Sequence, residues 1–221
     1  MKLYEYPPTR SIRVRWTLQE LGVPFESVIV DIAKGEHKQA AFLKVNPAGK
    51  LPALVDGDHV LTESVAIVLY LAEKYSDKRL LPRDLGARAE CYRWLLFAAT
   101  ELEQPVWRIA KHTAIYPKDK RIAADVALAR EEFEAMGAVL DEHMRGRKFV
   151  ATDAVTVADF VMAYTLDMAS VVGLLDRFGE LSRYVGEMYA RPKAAMRIKE
   201  AFAKLKEGRG GAGSPSRAPP R

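Results

Sequence analysis

Hydrophobic and polar positions follow two different patterns along this chain. Up to about residue 76, short runs rich in β-branched and aromatic residues alternate with segments of helical spacing: KLYEY (2–6), FESVIV (25–30), PALV (52–55) and HVL (59–61). From about residue 86 no run reads convincingly as a strand, and helical periodicity dominates. Its clearest case is Ile122, Val126, Ala129, Phe133, Met136 and Leu140, which draw one apolar stripe down a helix ending near Gly146. The pattern predicts a small α/β domain over 1–76, a polar linker over 77–86 with Pro82, Asp84 and Gly86, and an all-helical domain over 87–207.

Four local signals refine this outline. Ile12, Val14, Trp16 and Leu18 alternate with polar residues, which by period alone is a strand. The length to Leu21, the stop at Leu21-Gly22 and Pro24, and the absence of turn residues inside favour a helix. Val65 to Leu71 is apolar on nearly every side and reads as a helix buried against the sheet, while Arg88 to about Tyr116 is helical with a kink or break expected at Pro105. The last helix is expected to start at Pro192 and to carry Met196, Ile198, Phe202 and Leu205 inward.

Composition narrows the class. A chain of 221 residues, 49% of them hydrophobic, can bury a substantial core. No run approaches the ~18 apolar residues of a membrane span, and MKLYEYPPTR has no apolar signal-peptide core, so a cytoplasmic protein is expected. The single cysteine, Cys91, excludes an internal disulfide framework and a cysteine-rich metal site; its neighbours YRWLLFA make it a core residue. Three of the five net positive charges are Arg209, Arg217 and Arg221 in the Gly/Pro/Ser-rich stretch 208–221, expected to be a disordered tail. The remainder carries +2 with no basic stripe bearing interleaved aromatics, so no nucleic-acid role is expected.

Candidate chemistry gathers in the first domain. In YPPTRSIRVRW, Thr9 and Ser11 bracket Arg10 where a helix begins, a place that suits either reactive hydroxyls or simple caps. In NPAGKLPAL, Pro52 opens a strand, and a cis Leu51–Pro52 bond would turn the Leu51 backbone outward to pair with an extended peptide. In LTESVAI, Ser64 can cap a helix whose free amides would take a carboxylate, with Glu63 beside it to accept an amine. In GEHKQ, His37 and Lys38 precede a helix as surface cations. Each of these motifs, taken singly, has an ordinary structural explanation.

Taken together, YPPT, LQELGVPFE, VDIAKGEHK and LKVNPAGKLPALVDGDHVLTESVAIVLYLAEKY resemble, in order and spacing, the N-terminal thioredoxin-like domain of cytosolic glutathione transferases. DAVTVADFVMA (153–163) resembles the family's helical-domain motif, with Thr156 and Asp159 as a capping box. The resemblance implies a thioredoxin-like α/β domain followed by an all-α bundle, in a homodimeric enzyme of bacterial type. It implies glutathione as co-substrate, no metal, and no nucleic-acid or membrane partner. Leu51, before Pro52, would pair with the cysteinyl backbone of glutathione, Glu63 and Ser64 would hold the γ-glutamyl amine and carboxylate, and Lys38, with His37 and Lys50, would meet the glycine carboxylate.

The chemistry implied is activation of the glutathione thiol for attack on small hydrophobic electrophiles, a detoxification role, with peroxide reduction as a second activity. A free thiol has a pKa of about 8.5, and one hydrogen bond to sulfur plus a positive field populates thiolate near neutrality. Alignment on R-x-x-W-x-L-x-E-L puts Thr9 at the donor position, with Ser11 the alternative, Arg10 supplying the field and Tyr4 and Tyr6 packing. A helix with Trp107, Arg108, Lys111 and Tyr116 would line the electrophile site. The alternative to an enzyme is a glutathione-binding or protein-interaction module that keeps the fold without catalysis.

Overall fold

The computed structural model describes the backbone of residues 1–210 and the side chains of residues 1–207. Strands β1 (Lys2–Glu5), β2 (Glu26–Ile29), β3 (Ala53–Asp56) and β4 (His59–Leu61) form one mixed sheet in the order β2-β1-β3-β4. β2 runs parallel to β1, whereas β3 is antiparallel to both β1 and β4. Helix α1 (Ser11–Leu21) makes the β1-to-β2 crossover, α2 (Ala40–Leu43) lies between β2 and β3, and α3 (Ser64–Lys74) follows β4. This is a thioredoxin-like domain, and each strand falls within a residue or two of its predicted run.

Helix α1 resolves the conflict between strand period and helix signals in favour of helix. Its polar positions fail to mark a solvent face because Arg13 and Thr17 are buried along with Ile12, Val14, Trp16 and Leu18. The helix is enclosed nearly all round, so its one-sided periodicity is lost. It stops as expected at Gly22, whose φ of 68° lets its N–H bond back to Leu18 and Gln19 carbonyls.

The second domain is helical: α4 (Leu85–Phe97), α5 (Glu103–Ala110), α6 (Ala123–His143), α7 (Val157–Val171), α8 (Gly179–Tyr189) and α9 (Ile198–Gly210). The break expected at Pro105 is a π-helical turn over Ala98–Leu102: Pro105 has no N–H to continue the ladder, and the widened turn ahead of it absorbs the mismatch. Along α6, Ala129, Phe133 and Leu140 are buried, but Ile122 precedes the helix and is 56% exposed. Cys91 is buried in the core, where burial pushes its thiol pKa up.

Helix α7 is the hub, buried over most of its length, and begins with the predicted capping box. The Thr156 N–H donates to Asp159 Oδ2 at 2.8 Å, while Asp159 Oδ1 accepts the Val150 N–H at 2.8 Å and the Tyr184 hydroxyl at 2.9 Å.

The last helix departs from expectation. It begins at Ile198, not Pro192, because the chain after α8 turns instead of coiling, the Ala194 N–H bonding the Arg191 carbonyl at 3.0 Å. Asp167 on α7 then sets the start: Oδ2 accepts the Ile198 N–H and Oδ1 the Arg197 Nε–H, each at 2.8 Å. Phe202, expected to point inward, is exposed. The expected tail lies, from residue 211, outside the described residues.

The two domains share one core. Trp16 of α1 is fully buried and stacks on Phe160 of α7, ring centroids 5.4 Å apart, with Tyr189 of α8 at 4.8 Å.

Candidate functional site

Strand register and helix position bring the candidate segments to one end of the sheet. Tyr4 pairs with Ala53 across the β1–β3 ladder, so the same register continued places Leu51 opposite Tyr6, three residues before Thr9. The Leu51–Pro52 peptide is cis, as expected, and so is Pro7–Pro8, which the sequence reading missed. Leu51 is half-buried while Pro52 is buried. Tyr4 packs against Phe42 of α2 and Tyr6 is buried.

The two hydroxyls at the start of α1 form a chain whose direction is fixed by donor chemistry. Thr9 Oγ1 donates to the Tyr6 carbonyl at 2.7 Å, and a carbonyl only accepts. In the 2.7 Å contact between Thr9 Oγ1 and Ser11 Oγ, the proton therefore belongs to Ser11. Ser11 Oγ itself accepts the Tyr6 N–H at 3.4 Å. The N-cap of α1 is Arg10, whose side chain caps no amide; the Thr9 hydroxyl takes the Ser11 N–H at 3.3 Å, whereas the Ser11 hydroxyl takes the Tyr6 N–H, outside the helix.

At the start of α3, Glu63 sits at φ 63°, a left-handed conformation rare for a residue with a side chain and concentrated at binding sites. The first ladder bond runs from the Ile67 N–H to the Glu63 carbonyl at 3.0 Å, so the amides of Ser64, Val65 and Ala66 precede the helical ladder. Ser64 was expected as the cap; the N-cap position belongs to Glu63, and the Ser64 hydroxyl instead accepts a hydrogen bond from Arg13 Nη1 at 3.2 Å. This bond ties the start of α3 to α1, the helix that Ser11 opens.

The predicted cations lie next to the Leu51 backbone. Gly49 lets the loop close on itself: at φ 61°, a Cβ there would stand 3.0 Å from the His37 carbonyl oxygen. That approach sets His37 and Lys38, in the helical turn Glu36–Lys38, against Lys50, whose carbonyl accepts from Asn46 Nδ2 at 2.7 Å. Lys38 and Lys50 are exposed and His37 half-buried.

The four residues expected to line an electrophile site separate. Trp107 faces α1, with the Arg10 guanidinium 5.2 Å from its ring centroid, and Lys111 follows one turn on. Arg108 does not join them, because Asp125 and Glu132 of α6 hold its guanidinium, and this pairing lowers the Asp125 pKa and raises that of Arg108. Tyr116 stands edge-on to His112 at 5.1 Å.

Sequence reasoning missed a buried charge cluster beneath the site. Glu103 of α5, itself buried, takes Arg10 Nε at 2.6 Å on one oxygen and Arg13 Nη2 at 3.1 Å on the other. Arg13 Nη2 also donates to Thr165 Oγ1 of α7 at 2.8 Å, and the guanidinium lies 4.8 Å from the Tyr164 ring centroid. The Tyr164 hydroxyl donates to the Pro8 carbonyl at 3.2 Å, and burial pushes its pKa up. These partners lie up to 156 residues apart, and nothing local marks them.

Comparison with known proteins places these features. The family model for the glutathione S-transferase N-terminal domain matches residues 1–73, and that for the C-terminal domain residues 104–192. The chain is 36% identical over 166 residues to glutathione S-transferase F10 of Arabidopsis thaliana, covering 72% of this chain and 77% of that one. A sphingomonad glutathione S-transferase solved in complex with glutathione superposes with a TM-score of 0.77 at 30% identity, over 93% of this chain and 99% of that one. The glutathione transferase URE2P6 of Phanerochaete chrysosporium, solved with oxidized glutathione, gives 0.79 at 26% identity over 93% and 96%.

Proposed function

The chain belongs to the glutathione S-transferase family, and from that premise we propose that it binds glutathione across the end of the sheet and activates its thiol through Thr9. The observation that carries this reading is the placing of a hydroxyl chain, a strand-opening cis-proline backbone and an uncapped helix start toward one end of the first domain's sheet. Each matches one part of a γ-glutamyl tripeptide. The Leu51 backbone pairs with the cysteinyl residue, Glu63 accepts the γ-glutamyl amine, and Ser64 with the amides opening α3 takes its carboxylate. Lys38, His37 and Lys50 meet the glycine carboxylate at the other end.

Activation then follows from the hydroxyl chain. The Tyr6 carbonyl also accepts the Thr9 N–H at 2.9 Å, so it stays paired when the Thr9 hydroxyl swings from it to the thiol sulfur. Ser11 continues to donate to Thr9 Oγ1, which polarises the Thr9 O–H toward the developing thiolate. Arg10 and Arg13 outnumber Glu103 by one charge, giving a positive field on that side. The thiolate attacks a small hydrophobic electrophile over Trp107 and Lys111; Arg108, turned to α6, takes no part. Glutathione-dependent peroxide reduction uses the same thiolate, and the enzyme is read as a cytoplasmic homodimer.

Retention on immobilised glutathione, followed by conjugation of glutathione to a dinitro-aromatic electrophile, tests the reading. Retention with turnover is expected. A folded chain that flows through unretained defeats it, and retention without turnover would point to a binding module.

A further inference from the structure

We infer that the electrophile this chain takes is an anion: a flat aromatic or unsaturated body that packs beside Trp107 and carries a carboxylate held between Arg10 and Lys111. The inference rests on the reading that the glutathione thiol is activated at Thr9, and it names the class of the second substrate. Glu103, Trp107 and Lys111 recur every four residues, so they form one row along α5 and the turn that follows it. The first two meet Arg10, the residue next to Thr9: Glu103 takes Arg10 Nε at 2.6 Å, and the guanidinium lies 5.2 Å from the Trp107 ring centroid. Lys111 is the next step of the same row, its N–H bonded back to the Trp107 carbonyl.

The two cations of this row are left uncompensated. Arg10 gives Glu103 only its Nε, its terminal nitrogens have no partner among the described residues, and its side chain stays 33% exposed. Lys111 is half-buried and has no carboxylate within ion-pair distance among the described residues. The neighbouring acids are already engaged: the two Glu103 oxygens take Arg10 and Arg13, and Asp125 of α6, which feels the Lys111 charge, is held by Arg108 and His112. An aromatic ring flanked by two free cations suits a ligand with an apolar plane and a negative end, and the open fork of Arg10 matches a carboxylate. The thiolate in the same cleft would repel such a charge, so the cations convert a penalty into selection for it.

Two matched aryl chlorides test this on the full chain: 4-chloro-3,5-dinitrobenzoate and its neutral amide, 4-chloro-3,5-dinitrobenzamide. With either, the glutathione thiolate attacks the ring carbon that bears chlorine; the C–S bond forms, the C–Cl bond breaks, chloride leaves with the bonding pair, and the thiol proton has passed to water. Dividing kcat/KM for each by its rate with free glutathione removes the difference in intrinsic reactivity. The corrected ratio should favour the carboxylate by about tenfold, the order expected of a charge-assisted hydrogen bond. Lys111→Met, which keeps the stem and removes the charge, should shrink that ratio by about threefold or more, whereas Lys111→Arg should hold it. Turnover of neither chloride would defeat the thiol-activation reading itself. Turnover of both at a corrected ratio of one or below, or a Lys111→Met protein that keeps the full ratio, overturns this inference and leaves that reading standing.

Discussion

One proton separates the roles of Thr9 and Ser11. The Tyr6 carbonyl that takes the Thr9 hydroxyl also holds the Thr9 N–H, so the Thr9 proton can be turned outward without leaving that carbonyl unpaired, while Ser11 stays behind it as donor to Thr9. A hydrogen bond to a charged sulfur is worth about 1.5–3 kcal/mol, and 1.36 kcal/mol is one pKa unit, so Thr9→Ala should raise the bound thiol pKa by about one to two units. Turnover near neutrality should fall correspondingly, about tenfold or more, whereas Thr9→Ser should keep most of it. Ser11→Ala should produce a shift in the same direction but smaller, since it removes polarisation and not the donor. The pH dependence of kcat/KM checks all three, and equal profiles for Thr9→Ala and the unmodified enzyme would refute the assignment. At this scale the sequence drew attention to the two hydroxyls, with Thr9 ahead of Ser11, but not to the direction of the bonds between them, and it suggested a cap role for Ser11, whose hydroxyl instead takes the Tyr6 N–H. Arg13 was unreadable: among alternating polar residues it looked solvent-facing, and only partners far along the chain explain why it is buried.

Helix starts and ends carry the stability that single elements can be asked about. Asp159 satisfies the Thr156 and Val150 amides and the Tyr184 hydroxyl while fully buried, joining the start of α7 to the loop before it and to α8. Asp159→Ala leaves these donors unpaired in the core, and should cost about 3 kcal/mol or more, read as a lowered urea midpoint at unchanged slope. His143 makes a pH-dependent contribution near the end of α6. Its ring stacks on Trp94 at 4.1 Å, with Nε2 against the Val150 carbonyl at 2.8 Å, and burial holds its pKa below the usual histidine value. The folded state then binds fewer protons than the unfolded one, so this stabilisation is complete above about pH 6.5 and is lost as pH falls through the lower folded value. Urea midpoints measured between pH 7 and 5 should therefore fall more steeply for the unmodified chain than for His143→Gln; parallel curves would exclude His143 as the cause. Element signals that were local were readable here: the Thr156–Asp159 box, the Gly22 stop and the break at Pro105. The start of α9 was not, because Pro192 is a good first-turn residue in isolation while the true start is dictated by Asp167, 31 residues earlier.

The order of the two domains was legible because hydrophobic period changes along the chain, but the seam between them was not. That seam governs how the molecule unfolds. Trp16, fully buried in α1, is packed by Phe160 and Tyr189 of the helical domain, and Glu20 at the far end of α1 takes both Nε and Nη2 of Arg191 at 2.9 and 3.1 Å. Arg13 and the Tyr164–Pro8 bond close the end nearer the site. Separating the domains would therefore expose an aromatic cluster and strip the partners from a buried guanidinium, so neither domain should persist once the other has opened. Calorimetry should show one cooperative transition, with van't Hoff and calorimetric enthalpies in agreement. Trp16→Ala should cost about 3–5 kcal/mol, lowering that one transition as a whole and leaving no separate helical-domain peak. Two resolved transitions in either protein would mean that the helical domain stands without the seam.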